Sequence, residues 1–242
     1  FDADGATASA VAIKALRLMG AKHVDFLVPN RFKHGYGLSP EIVKEAKRDK
    51  EPDLIITVDN GISSNEGAEL ARSLGIDVII TDHHLPPNEL PNANAIINPN
   101  LRGCDFPSKN LAGVGVCFYL FSSLKTYLTK QGYFEKNNIQ NPDLRTLLDL
   151  VALGTVADVV KLDQNNRILV NEGIKRIREK RCSKGILAIL ELTKRPVDSL
   201  QASDLGFTVA PRINAAGRLS DISQGIRCLL SDDMNDARRY AQ

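Results

Sequence analysis

The sequence predicts an α/β fold, a parallel sheet flanked by helices, followed by a mostly helical extension. Two observations carry this prediction. Over the first hundred residues, apolar β-branched runs such as Leu54–Val58 and Asp77–Thr81 alternate with helical stretches, which is the order of βαβ units. After Leu111 the strand patterns fade and helical patterns follow one another. We therefore expect an α/β domain over residues 1–135 and a mainly helical part over residues 136–242.

Each predicted element rests on a local pattern. Ser39 and Pro40 suit the cap and first turn of a helix, and Gly75 suits the end of another. A polar connection is expected over residues 133–141. The predicted strands are 24–28, Leu54–Val58, Asp77–Thr81 and Ala95–Ile97. The predicted helices cover residues 7–19, 40–48, 64–74, 114–128, 142–153, 167–178 and 185–192.

Composition and charge limit the class of protein only broadly. The chain has 242 residues, 43% hydrophobic and 25% charged, which is enough apolar material for a core. The net charge of +2 does not identify a nucleic-acid binder. Residues 161–195 contain ten Lys and Arg against four Asp and Glu. This stretch could face phosphates, or it could be a solvated helix face.

Cysteine spacing and hydropathy predict a cytoplasmic protein. Four cysteines lie far apart without a Cys-x-x-Cys pair, so neither a disulfide framework nor a zinc ribbon is expected. No apolar run reaches the roughly 18 residues of a membrane span, and we expect no membrane association. The sequence opens at Phe1 without an initiator Met and ends within a helical pattern, so it reads as a fragment.

Acidic and imidazole groups follow the ends of the predicted strands. Asp59 directly follows Leu54–Val58, and Asp82 with two histidines follows Asp77–Thr81. Ligands bind beyond the carboxyl ends of parallel strands, and neighbouring strands lie roughly 4.8 Å apart. Mn²⁺ and Mg²⁺ prefer carboxylate oxygens, and Mn²⁺ also accepts imidazole. The candidate set is Asp2, Asp4, Asp59, Asp82, His83 and His84, and it suits two ions that act on a phosphodiester.

Each group also has a purely structural interpretation. Asp2 or Asp59 could be a helix cap, and Asp59-Asn60-Gly61 resembles a tight turn. Consecutive histidines after a buried strand are harder to explain without partners. Asp158 stands in the apolar segment 149–160, where it is either a helix-end cap or a buried acid that needs a charge partner. A metal ion would supply that partner.

Four short strings, taken in order, resemble the motifs of the DHH phosphoesterase family. They are FDADG at residues 1–5, VDNG at 58–61, TDHH at 81–84 and ALGTVADV at 152–159. Further strings resemble the branch of the family that comprises single-strand DNA exonucleases. These are PNRFKHGYGLS at 29–39, INPN at 97–100, LAGVGVCFYL at 111–120 and APRINAAGRL at 210–219.

The resemblance implies two Mn²⁺ or Mg²⁺ ions and a role for each matching residue. Asp2 would bind the first metal, Asp4 the second, and Asp59 would bridge both. The second metal would be completed by His83 and Asp158. The scissile phosphate would be contacted by His84, with Asp82 orienting the histidine pair. Family members carry a further Asp two residues before Asp2, a position outside this sequence, so an incomplete first metal site is expected.

Phosphates near the 5′ end would be bound by a second set of residues, Arg31, Arg212, Asn214 and Arg218. Guanidinium groups match phosphate oxygens bidentately. Surface solvation or pairing with carboxylates is the alternative for these arginines.

The resemblance implies a metal-dependent 5′-to-3′ exonuclease on single-stranded DNA that releases nucleoside 5′-monophosphates in DNA repair and recombination. A phosphodiesterase for short oligonucleotides or cyclic dinucleotides is one alternative. A scaffold that keeps the fold without catalysis is another. A monomer is expected, with a single-strand-binding protein or a helicase as candidate partners. The family's DHH-associated and OB-type domains are expected to be missing, with weaker DNA affinity as the consequence.

Overall fold

The computed structural model describes residues 2–29, 35–219 and 222–242, with side chains described except at 216–219. Its sheet has three parallel strands in the order β1-β2-β3. They are β1 (Leu54–Val58), β2 (Asp77–Thr81) and β3 (Ala95–Ile97). Val58 pairs with Thr81, and Thr81 with Ile97. The three carboxyl ends therefore lie side by side at one edge of the sheet.

Helices cover both faces of the sheet. Ile80 packs in a cluster with Ile42 and Ala71, which belong to α2 and α3. On the opposite face, Ile56 and Val58 pack against the larger cluster formed by α1, α4 and α6. These helices are α1 (Ala3–Leu18), α2 (Pro40–Lys50), α3 (Asn65–Ser73), α4 (Gly113–Lys130) and α6 (Leu148–Ala157). The predicted α/β layer is confirmed.

A helical part follows the sheet, as predicted. It consists of α5 (Tyr133–Lys136), a 3₁₀ turn (Leu144–Leu147), α6, α7 (Gln164–Arg178), α8 (Lys184–Leu192), α9 (Ala202–Asp204), a π-helical turn (Leu205–Val209), α10 (Ala210–Leu219), α11 (Ser223–Leu230) and α12 (Met234–Ala241). Within the described ranges, no helix combines the length and apolar character needed to cross a membrane. The four cysteines are free thiols.

The predicted strand over residues 24–28 is wrong. Phe26 and Val28 pack on the larger cluster, and Leu27 packs on the smaller one, so side chains alternate between two buried sides. The segment nevertheless pairs with none of the described strands. Alternation of side chains in sequence indicates that a segment is buried on two sides. In residues 24–28 this burial occurs without a partner strand.

The larger core cluster includes residues on both sides of position 135. Val11 and Phe121 belong to it together with Leu150 and Ile189. The first hundred residues and the helical part thus share buried apolar surface. The division into 1–135 and 136–242 stays a prediction.

Candidate metal centre

Asp4 joins the first turns of two helices. It lies in the first turn of α1 and is 1% exposed. Its Oδ2 accepts the Gly113 N–H at 2.6 Å, and its Oδ1 accepts the Val114 N–H at 2.9 Å. The α4 cap residue, Ala112, has no side chain for this role, so Asp4 satisfies two N–H groups that the helix leaves unpaired. Burial, followed by the charges of Asp59 and Asp158, raises the pKa of Asp4 well above its ordinary value.

Asp59 sits in a tight turn at the end of β1. Its φ of 58° is left-handed, a conformation that Asp tolerates better than most residues. Asn60 donates from its side chain to the Val58 carbonyl at 2.7 Å, and Thr57 donates its hydroxyl to the Asn60 carbonyl at 2.7 Å. The turn holds the carboxylate at the sheet edge, where burial is the largest cause that raises the pKa of Asp59.

His83 brings three carboxylates together. Its Nε2 lies 3.2 Å from Asp59 Oδ1, 3.6 Å from Asp158 Oδ2 and 4.0 Å from Asp4 Oδ2. Burial alone would lower the pKa of His83, but the neighbouring carboxylates outweigh it and the pKa is raised. Asp158 caps the end of α6, and burial is the main cause that raises its pKa to about 6.

Asp82 holds the two histidines in place by accepting their backbone N–H groups and by contacting the ring of His84. Its Oδ1 accepts the N–H groups of His83 at 2.8 Å and His84 at 3.2 Å, and it lies 2.7 Å from His84 Nδ1. Its Oδ2 accepts the Ile62 N–H at 2.9 Å. Burial would raise the pKa of Asp82, but these hydrogen bonds lower it. The bond to Asp82 is the largest cause that raises the pKa of His84 to about 8.

Two asparagines after β3 also hold the histidines, and the sequence analysis did not assign them. Asn98 donates from its side chain to the His84 carbonyl at 2.8 Å, and Asn100 donates to the His83 carbonyl at 2.6 Å. Asn98 is 3% exposed. The position of the INPN string at the end of a predicted strand was the available clue.

The donor atoms fit divalent cations. Two groups have ligand atoms within 4.8 Å of one another, Asp4 with His83 and Asp158, and Asp59 with His83 and His84. Asp158 Oδ2 is buried and makes no hydrogen bond within the described residues. Buried polar atoms of this kind are costly without a partner. A carboxylate and imidazole set suits Mn²⁺, and its oxygens suit Mg²⁺.

Asp2 lies beside these groups without being part of either. It is exposed and caps α1, accepting the Gly5 N–H at 3.1 Å. Asp2 Oδ1 and Asp59 Oδ2 lie 3.8 and 3.4 Å from the point where a Cβ on Gly5 would stand. The charge of Asp2 contributes to the raised pKa values of Asp59 and Asp158, after burial. The cap interpretation describes its contact, and its role as a metal ligand stays a prediction.

The predicted phosphate-binding residues are placed only in part. Asn214 Oδ1 accepts the Ala3 N–H at 2.7 Å, so this side chain supports the first turn of α1 next to Asp4. Arg212 is exposed on α10. Arg31 lies outside the described residues, and so does the side chain of Arg218. The substrate roles of these four residues stay predictions.

Tyr36 is a further candidate that the sequence analysis did not single out. Tyr36 is 65% exposed, and the pKa of its hydroxyl is raised to about 12. Partial burial is the largest cause, followed by the charges of Asp59 and Asp82. An exposed aromatic ring close enough to feel the charges of the metal-centre carboxylates suits contact with a nucleobase.

A parallel sheet that gathers carboxylates and imidazoles at one edge defines a divalent-metal-binding α/β domain. Residues 1–155 match the family model described as the DHH family, N-terminal domain. The chain belongs to the DHH family.

Curated relatives and solved structures agree with this family. The chain is 60% identical over 241 residues to the single-stranded-DNA-specific exonuclease RecJ of Escherichia coli strain K12, covering 100% of this chain and 42% of that protein. Identity to the protein of the same description from Bacillus subtilis strain 168 is 39%, covering 100% and 28%. The chain thus spans less than half the length of these relatives.

Two solved structures of exonuclease RecJ share the fold. One, described as bound to manganese, has a TM-score of 0.81 and 36% identity, covering 99% of this chain and 57% of that chain. The other, from Thermus thermophilus in complex with Mn²⁺, has a TM-score of 0.78 and 33% identity, covering 99% and 32%.

Proposed function

We propose that this chain carries the catalytic centre of a metal-dependent 5′-to-3′ exonuclease that acts on single-stranded DNA and releases nucleoside 5′-monophosphates. The observation that carries the proposal is the convergence of Asp4, Asp59 and Asp158 on His83 Nε2. The substrate follows from the names of the relatives. Its cellular setting would be DNA repair and recombination.

The two groups around His83 would hold Mn²⁺ or Mg²⁺, in line with relatives crystallised with these ions. Asp2 is available at the margin of the Asp59 group. Bound divalent ions would polarise the phosphodiester and activate water. Asp4 is fixed for this task by two backbone N–H groups.

His84 is the group of this chain placed to contact the phosphate. Asp82 engages its Nδ1, which leaves Nε2 free to face a substrate. The side chain is 50% exposed, and in the metal-free protein its pKa of about 8 favours the protonated ring at neutral pH. A protonated imidazole donates a charge-assisted hydrogen bond to a phosphate oxygen. His84 also lies close enough to Asp59 to be a metal ligand.

The expected setting is the cytoplasm, where the four free thiols stay reduced. We propose that the protein works as a monomer on single-stranded DNA. A single-strand-binding protein or a helicase would be its protein partner.

The test replaces Asp59 by Asn in the full-length protein. Manganese-dependent release of mononucleotides from a 5′-phosphorylated single strand should fall about 10³-fold. The matched control is Asp53→Asn, an exposed acid just before the start of β1, at the opposite edge of the sheet. Equal activity of the two variants would remove the proposed mechanism.

Faster turnover of a dinucleotide than of a long strand would instead favour a short-oligonucleotide phosphodiesterase.

A further inference from the structure

A second pocket lies at the far end of the helices that build the metal centre. Its volume is about 600 Å³. The walls come from the end of α1, the 3₁₀ turn before α6, the end of α7, the start of α8 and the end of α11. None of the metal-centre residues lines this pocket. The volume is in the range of pockets that hold small ligands.

Two helices connect the metal centre to this pocket and run in opposite directions. On α1, Asp4 faces the metal centre and Arg17 lines the pocket, which is thirteen residues or roughly 20 Å along the helix axis. On α6, Asp149 lines the pocket and Asp158 faces the metal centre, roughly 14 Å away. The pocket is therefore a separate site.

Six of the sixteen residues that line the pocket are cationic. Two acids also line it, Asp149 and Asp232. Asp149 is 1% exposed and its Oδ2 accepts the Ser183 N–H at 2.6 Å, so it faces the start of α8. Asp232 contacts Lys14 at 3.2 Å while its side chain is 95% exposed. The cations are Lys14, Arg17, Arg176, Lys180, Arg181 and Lys184.

Helix stability explains only part of this charge. Arg17 and Arg176 stand in the last turns of α1 and α7, where cations stabilise the helix dipole. Lys184 is the first residue of α8, where a cation opposes the dipole. An anionic ligand at this position would offset that cost.

Two of the cations, Lys14 and Arg181, have close carboxylate partners, and others are paired more weakly. Lys180 lies 3.9 Å from Asp198, and both side chains are mostly exposed, so the pair is weak. Arg181 pairs with Glu179, its near neighbour on the surface. Arg176 Nε is buried and has no hydrogen-bond partner among the described residues. A buried guanidinium N–H is costly when unpaired.

We infer that this pocket is a second phosphate-binding site, which takes the phosphate of a nucleotide between the ends of α1 and α7 and the start of α8. Arginines match phosphate oxygens bidentately, and Lys184 adds a point charge. Leu18, Leu147 and Leu230 on the same walls offer apolar surface for a base or sugar. That the ligand is a nucleotide rests on the proposed function. The preference for phosphate rests on the pocket alone.

Two sources share this chemistry, a released 5′-mononucleotide and an internal phosphate of the DNA strand. The experiment uses the full-length protein in EDTA, so that binding through metal ions does not contribute. The probes are deoxyadenosine 5′-monophosphate, inorganic phosphate and a short single strand with a 5′-hydroxyl. Calorimetry measures the first two, and fluorescence anisotropy the third.

The pocket variant is Arg181→Glu with Lys184→Glu. The matched control is Lys44→Glu with Lys47→Glu, an equal change of charge on the exposed face of α2. Affinity for at least one probe should fall tenfold or more in the pocket variant and stay within twofold in the control. Tighter binding of the mononucleotide identifies a product site, and tighter binding of the strand identifies a substrate site.

No binding of any probe to the wild-type protein, or equal loss in both variants, would overturn the inference. If thermal melting shows that the pocket variant is unfolded, Lys184→Met replaces it with the same expectation. The nuclease activity of Asp59→Asn is measured separately with Mn²⁺, so a failed pocket and a failed catalytic proposal are distinguishable.

Discussion

At the level of single residues, Asp82 controls His84 through one oxygen. The same Oδ1 accepts two backbone N–H groups and holds the His84 ring. Removing its charge while keeping its shape separates the electrostatic effect from the geometric one. Asn at this position could still accept hydrogen bonds, but it would no longer stabilise an imidazolium.

We expect Asp82→Asn to lower the pKa of His84 from about 8 toward the ordinary value near 6.5. The raised pKa stabilises the folded protein fully below pH 6.5, and this contribution is lost as the pH rises through about 8. In the metal-free variant, the dependence of unfolding free energy on pH between 6.5 and 8 should flatten. NMR titration of the His84 ring measures the pKa directly. An unchanged pKa would show that Asp82 does not stabilise the protonated form of the His84 ring.

Residue chemistry and strand ends predicted much of the centre from the sequence. The approach of Asp59 and His83 follows from adjacent parallel strands, and the need of Asp158 for a partner follows from its apolar surroundings. The contacts of Asn98 and Asn214 could not be predicted, because each amide bonds a backbone group whose position is set only by the tertiary structure.

At the level of elements, glycines let helices approach the acids closely. A Cβ on Gly113 would lie 2.6 Å from Asp59 Cβ and 2.9 Å from its Cα. On α6, a Cβ on Gly154 would lie 2.2 Å from Thr7 Oγ1 and 3.0 Å from Asp4 Oδ1. The Asp59 backbone cannot give way cheaply, and the Thr7 and Asp4 side chains are buried. The first turn of α4 and the body of α6 therefore fix the spacing of the centre.

Gly113→Ala should weaken manganese binding by at least tenfold, because its methyl group would displace the Asp59 backbone. Gly115→Ala on the same helix is the control, since its Cβ would meet only a Leu111 methyl at 3.1 Å. Calorimetric titration with Mn²⁺ compares the two variants. Similar affinities in the two variants would contradict the role given to this close contact.

Elements were predicted well where periodicity was strong. β1, β2 and β3 match their predicted bounds, since each is a short apolar run beside a turn. The strand over 24–28 failed because its alternation reflects two buried sides rather than pairing. A mainly helical part was predicted to residue 242, with a helical pattern at its end, but no bounds were predicted for the helices from Ala202 onward. Pro211 and Gly217 interrupt the pattern of α10.

At the level of the whole molecule, bringing like charges together lowers the stability of the metal-free fold. Asp4, Asp59 and Asp158 all have raised pKa values, in each case chiefly because of burial. For an acid this means that stability is lost as the pH rises from the ordinary value near 4 through the raised value. The metal-free protein is therefore less stable at neutral pH than it would be without this cluster.

Asp59→Asn should raise the stability of the protein in EDTA at pH 7, because burial disfavours the charged carboxylate, while it lowers nuclease activity about 10³-fold. Added Mn²⁺ at 100 times its Kd should stabilise the wild type by about 2.7 kcal/mol and the variant far less. Thermal melting with and without Mn²⁺ gives both numbers. A variant less stable than the wild type in EDTA would show that the cluster does not strain the fold.

The bond between Asp4 and the first turn of α4 joins positions 109 and 110 residues apart along the chain. Contacts of such long sequence separation form late, after most of the chain-closure entropy has been lost. We therefore expect the cage for the ions to be incomplete in the folding transition state. Manganese should slow unfolding while it leaves the refolding rate nearly unchanged. The bound ion would then increase the kinetic stability of the protein. Stopped-flow refolding and unfolding at several manganese concentrations measure the two rates separately.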